Sequence, residues 1–148
     1  MRNVSRILAV VSMAGLFLAF GPSRAAAQAA PSLYDQLGKK KGITKLVGDF
    51  VGNVGADTRI NAYFAHTDLT HLKMELVNQI CQASGGPCKY TGKSMKEAHM
   101  GMGVTTADFN AIVEDLVKAM DKDKVSAGAK NSLLGALGPM KGDIVEKP

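Results

Sequence analysis

The spacing of large apolar residues constrains this chain more than any other feature. After Thr105, the residues Phe109, Ile112, Val113, Leu116, Val117 and Met120 recur at three- and four-residue steps. That period matches the helical turn and puts them on one stripe. Thr105 and Asp108 make a capping-box start, with Asp in the place of the usual Glu. A second stripe, Ile43, Leu46, Val47, Phe50, Val51 and Val54, predicts a helix over 42–57. A third, Leu69, Leu72, Leu76 and Ile80 with Val77 at its edge, follows Asp68 as N-cap and stops at Gly85, Gly86 and Pro87. A fourth helix runs over 126–145 with Leu133, Leu134, Leu137, Met140 and Ile144 inward, and Gly138-Pro139 should kink or break it. No segment alternates with period two for long enough to argue a strand, so the chain reads as all-α. Gly48, Gly52 and Gly55 each weaken the first of these helices by about 1 kcal/mol, which suggests close packing against it. Tyr63 and Phe64 place two rings in the connector "INAYFAHT", where they seal a core or wall a cofactor.

The first residues belong to a different regime. "MRNVSR" is basic, Ile7 to Phe20 is an apolar run, and "GPSRAAAQAA" is small and helix-broken. That order is a secretory signal peptide over 1–29, cleaved after Ala27 or Ala29 with "AQA" favouring Ala29, leaving one domain over 30–148. The run is short for a membrane span; an uncleaved anchor is the alternative. The domain is then periplasmic or secreted, with no stable membrane association after cleavage. Removing the leader deletes Arg2, Arg6 and Arg24 and no acids, so the net charge of +5 falls to +2. "GKKKG", 38–42, is the dense basic cluster that remains, and reads as a solvated turn rather than a nucleic-acid contact. The chain has no tryptophan and few aromatics, which is thin for a ring-stacking face.

Cys81 and Cys88 are spaced C-x6-C. This is neither the C-x-x-C-H of covalent haem attachment nor a C-x-x-C redox pair. In an oxidising compartment a disulfide is the default, with two free thiols as the alternative. The chain lacks G-x-S-x-G, H-E-x-x-H, P-loop and dinucleotide fingerprints. Glu114 and Asp115 are neighbours on a helix, point apart and read as solvated. No general acid or base stands out, and whether the protein is an enzyme stays open. What remains is one histidine among methionines, in "KEAHMGMGV", within a helical scaffold whose apolar faces can hold a flat cofactor. His99, Met100 and Met102, with Met95 a turn earlier, also make a soft cluster that suits Cu(I).

Four blocks, "SLYDQLG", "INAYFAHTDLTHLK", "GGP-x-x-YTGKSMKEAHMGMGV" and "FNAIVEDLV", occur in order between Leu33 and Val145. Together they resemble group one truncated haemoglobins. The resemblance implies a two-over-two helical sandwich around one non-covalent haem b. It implies His99 as the proximal ligand, bonding iron through Nε2 while a backbone carbonyl takes its Nδ1–H. It places Phe64, Met95, Val104 and Phe109 against the porphyrin, and Val51, Leu72 and Leu76 on the ligand side. Tyr90, Lys73 and His71 are its candidates for the propionates, and His71 is a further candidate for a distal ligand. His66 sits in the connector.

Two departures from the family matter. Relatives commonly carry tyrosine at the position of Val51 and often glutamine at that of Leu76, donors to bound dioxygen. Here the three matched positions are aliphatic, so dioxygen should be held weakly, while carbon monoxide and nitric oxide suffer less. The family's first glycine pair is also altered, to "GKKKG". The implied function is binding of a diatomic gas at haem iron in an apolar pocket, for oxygen binding or transport. Nitric oxide dioxygenation or electron transfer, with a redox partner, stands as the alternative.

Overall fold

The computed structural model describes residues 30–148. The signal-peptide segment, and with it the assignment to an exported compartment, lies outside these residues. Seven helices follow in order: α1 (Leu33–Gln36), α2 (Lys39–Ala56), α3 (Leu69–Ala83), α4 (Met95–His99), α5 (Thr106–Lys122), α6 (Ala127–Leu137) and α7 (Lys141–Ile144). Two 3-10 turns, Asn61–Phe64 and Gly138–Met140, interrupt them. Among the described residues there is no strand. A parallel bridge pairs Thr105 with Lys147, and among the described residues no helix is long and apolar enough to cross a membrane.

The starts read for α3 and α5 hold. Asp68 caps α3 by accepting from Thr70 N and His71 N. At α5, Thr105 Oγ1 accepts from Asp108 N (3.1 Å), and Asp108 Oδ2 accepts from Thr105 N (2.9 Å). Each satisfies an N–H that the first helical turn leaves orphaned. The last helix is broken at Gly138-Pro139, as its sequence requires.

Three expectations are corrected. Lys39, Lys40 and Lys41 are not a turn but the first turn of α2. Gly42 packs so tightly that a Cβ there would lie 2.0 Å from the Leu37 carbonyl oxygen, which lets the helix begin three residues early. A Cβ added at Gly48, Gly52 or Gly55 would meet nothing within 4 Å, so no element packs closely against these positions. Asp115 is not solvated: it is 1 % exposed, with Oδ1 on Lys118 Nζ at 2.9 Å, whereas Glu114 is exposed and pairs with Arg59.

The core gathers Ile43, Leu46, Val47 and Val54 of α2, Val77 and Ile80 of α3, Met120 of α5 and Leu133 of α6. α2 packs against both α3 and α5, and α3 reaches α6. The row Ala111, Asp115, Ala119 is buried along α5, and Asn53 Nδ2 of α2 donates to the Asp115 carbonyl at 3.0 Å. Small residues at four-residue steps let two helices approach closely. A disulfide joins Cys81, in α3, to Cys88 in the following loop. This settles the choice left open between a bridge and free thiols.

Candidate functional site

Between α2, the Asn61–Phe64 turn, α3, α4, α5 and the chain's end lies a cavity of about 1080 Å³. Ligand pockets run to roughly 1,000 Å³, so this one is large for its class. Its wall is mostly apolar, from Phe50 and Val51 of α2 through Leu72 and Leu76 of α3 to Phe109 and Leu116 of α5.

Among the polar side chains on this wall is one imidazole, His99. The chain builds its position from a short helix. Ser94 Oγ accepts from Glu97 N at 3.3 Å, and Glu97 Oε2 accepts from Ser94 N at 3.1 Å, a capping box that starts α4. The helix ends five residues later at His99, which is half-buried on the cavity wall. His99 Nδ1 lies 2.7 Å from the Met95 carbonyl oxygen. A carbonyl only accepts, so Nδ1 carries the proton and Nε2 is left unprotonated in the neutral ring. That is the arrangement of an imidazole prepared to ligate a metal.

Val51, Phe64, Leu72, Leu76, Tyr90, Met95, Val104 and Phe109 all line the same cavity as His99. Lys73 and His71 do not: both are exposed on α3. His66 is likewise exposed and off the wall. Tyr90 reaches the cavity, but its hydroxyl donates to the Lys93 carbonyl at 2.6 Å. Burial and the nearby charge of Glu75 push its phenol pKa up. Of the soft cluster, Met95 and Met102 share the wall with His99, while Met100 is 73 % exposed and outside it.

Several wall residues were not anticipated. Gln79 Nε2 lies 3.4 Å from the sulfurs of both Met95 and Met140. Glu75 Oε2 is buried with no hydrogen-bond partner. Both stand at helical steps from Leu72, so the α3 stripe could have revealed them. Lys141 reaches the wall with its ammonium 5.7 Å from the Phe109 ring centroid, within cation–π range. Tyr63 Oη donates to Asp108 Oδ2 at 3.0 Å, tying the connector to the start of α5. This bond, ahead of burial, raises the Tyr63 pKa. The bond from Thr105 leads those that hold the Asp108 carboxyl below its ordinary value.

A helical shell around an apolar cavity, with one histidine in its wall, defines an all-α cofactor-pocket protein. The family model for bacterial-like globins matches residues 32–146, and the chain belongs to that family. It is 32% identical to the group 1 truncated haemoglobin of Mycolicibacterium paratuberculosis, over 76% of this chain and 83% of that one. The Fe(III) form of the truncated haemoglobin from Tetrahymena pyriformis superposes with a TM-score of 0.75 at 29% identity, covering 78% of this chain and 98% of that one. Variants of that protein have been solved with a tyrosine changed to phenylalanine and with either of two glutamines changed to glutamate. The 2/2 haemoglobin of Synechococcus, in a cyanomet state with covalently attached haem, gives 0.73 at 30% identity, over 78% and 98% of the two chains. The fold is the two-over-two helical arrangement of truncated haemoglobins.

Proposed function

We propose that this chain is an exported gas-binding haem protein that would hold one haem b non-covalently, with His99 Nε2 as the residue atom that would bind the iron. The observation that carries the reading is the His99 Nδ1–Met95 carbonyl bond, which leaves Nε2 free at the wall of a large apolar cavity. When bound, the haem supplies a Lewis-acidic iron that takes a diatomic ligand. The protein would supply His99 as the base, its tautomer fixed by the Met95 carbonyl, and an apolar lining from Phe64, Phe109, Leu72 and Leu76. Lys141 sets a cation at the wall, favourable to an anionic propionate. Both cysteines are used in the disulfide, so no thiol is left for a thioether link to the haem.

The ligand side is aliphatic at Val51, Leu72 and Leu76. The tyrosine and two glutamines varied in the Tetrahymena protein are separated by 21 and then 4 residues. Val51, Leu72 and Leu76 have the same separations. This chain offers no donor at any of the three. Reversible binding of carbon monoxide or nitric oxide therefore suits it better than stable oxygenation. Nitric oxide dioxygenation requires dioxygen to be held until nitric oxide arrives, and then a redox partner.

Ferrous, ferric and carbonyl absorption spectra of the hemin-loaded protein and of His99→Ala test the reading. An intense Soret band that weakens and shifts in the variant is the expected result. A protein that takes up no hemin, or a complex indifferent to His99, overturns it.

A further inference from the structure

The chain's C-terminal tail closes over the loop that follows His99. After α4 the backbone passes through Gly101 and Gly103, both at positive φ (80° and 68°). Their amides converge on one carboxylate: Glu146 Oε1 accepts from Gly101 N at 2.7 Å and Oε2 from Gly103 N at 2.5 Å. Successive N–H groups in such a turn form a concave anion-binding nest. Here the anion comes from the same chain, more than forty residues away. Bonds to a charged acceptor are the stronger kind.

The tail that carries Glu146 is itself pinned. Glu146 N and Lys147 N donate to the Val104 carbonyl at 2.9 and 3.1 Å, and Thr106 N donates to the Lys147 carbonyl at 3.2 Å. The Lys147 side chain lies across Gly103, where a Cβ would meet Nζ at 3.0 Å. α7, directly before the tail, packs against α4. A helix of α4's length does not hold itself together in isolation. Its first turn is secured by Ser94 and Glu97, and the loop after its last residue is secured by Glu146.

We propose that Glu146 is a positioning residue for His99. Its carboxylate clamps the Gly101–Gly103 loop, fixes the direction of the imidazole toward the iron, and slows loss of the haem. This rests on the haem reading above. Groups that orient a metal-ligating histidine are worth roughly 10- to 100-fold in affinity for what it binds.

Glu146→Ala, Glu146→Gln and Glu146→Asp in the whole exported chain test it by two readouts. The first needs no haem: amide hydrogen exchange at Gly101 and Gly103, expected to lose protection in Glu146→Ala. Unchanged protection overturns the clamp. The second uses hemin-loaded protein: transfer of hemin to an excess of an apoglobin acceptor, and the iron–imidazole stretching band of the ferrous form. Glu146→Ala is expected to lose hemin about tenfold faster with a shifted or broadened band. Glu146→Gln, which keeps the size and one neutral acceptor, should fall between, and Glu146→Asp should restore part of the difference. Faster exchange with unaltered hemin loss and band position overturns the positioning role and leaves the tail a structural tie. An unsubstituted protein without a His99-dependent hemin complex overturns the haem reading, and this proposal with it. A normal complex insensitive to Glu146 overturns this proposal alone.

Discussion

Replacing Leu76 with glutamine asks whether the missing donor sets the affinity for dioxygen. Leu76 is half-buried, lines the cavity and stands one turn beyond Leu72 on α3. Glutamine is close to leucine in volume, and the cavity of about 1080 Å³ leaves its amide room to turn inward. A hydrogen bond to a polarised acceptor contributes roughly 1.5–3 kcal/mol. At about 1.4 kcal/mol per tenfold, that is a 10- to 100-fold slower release of dioxygen. Carbon monoxide is a far poorer acceptor, and its release should change by less than about threefold, within the weak-bond range. Stopped-flow displacement of one gas by the other reads both rates. One competing outcome has a structural cause: Glu75 Oε2, buried and unpartnered, can capture the new amide instead. The Leu76→Gln, Glu75→Gln double variant removes that acceptor. If dioxygen release is unslowed in both, while the haem spectra stay those of the parent, the aliphatic wall is not what governs dioxygen here.

Two further outcomes follow from the packing and the charges. Leu133 is 0% exposed at the centre of the core, so Leu133→Ala should destabilise by about 2–5 kcal/mol, read as a lowered urea midpoint at unchanged slope. Asp49 and Asp57 have carboxyl pKa values lowered to about 2, Asp49 chiefly by the Lys122 and then the Lys45 ammonium, Asp57 by the Arg59 guanidinium. Because the folded values lie below the unfolded one, their contribution is present above about pH 4 and is lost as pH falls toward 2. The acid-unfolding curve of Asp49→Asn with Asp57→Asn should therefore be flatter through that window, and an unchanged curve contradicts the assignment.

The helices were legible where bulky apolar residues carried the signal. The stripes of α2 and α5, the Asp68 cap, the Thr105–Asp108 box and the break at Gly138-Pro139 all depend on neighbours within a turn or two, and short-range spacing encodes them. The misreadings concern packing that the spacing of bulky apolar residues does not encode. Three lysines look like a turn until Gly42 is seen pressed against the Leu37 carbonyl. Asp115 looks solvated because its neighbour Glu114 is. It lies on a second row of α5, Ala111, Asp115 and Ala119, buried through small residues and therefore faint in an apolar stripe. The glycines of α2 invite the opposite error, since open space and a tight contact leave the same mark in a sequence.

The cavity divides in the same way. His99 was singled out through the resemblance to truncated haemoglobins, which also implied a backbone carbonyl as acceptor for its Nδ1–H. The structure supplies it in the Met95 oxygen. The apolar wall was legible through the α3 stripe. Its polar members were passed over, although Glu75 and Gln79 sit at helical steps from Leu72, because the stripe was drawn through apolar residues alone. Those two now decide how dry the pocket is. Gln79 spends its amide between two thioethers, Met95 and Met140, and so contributes little polarity to the interior. Glu75 has no such partner, and a buried carboxylate oxygen left unpaired is costly unless something in the cavity satisfies it. The pocket is therefore apolar at Val51, Leu72 and Leu76 and polar at Glu75 beside them. On the proposed haem reading, a pocket so divided would hold neutral diatomics without steadying them, and Glu75 Oε2 would stand as acceptor for a donor that enters beside them.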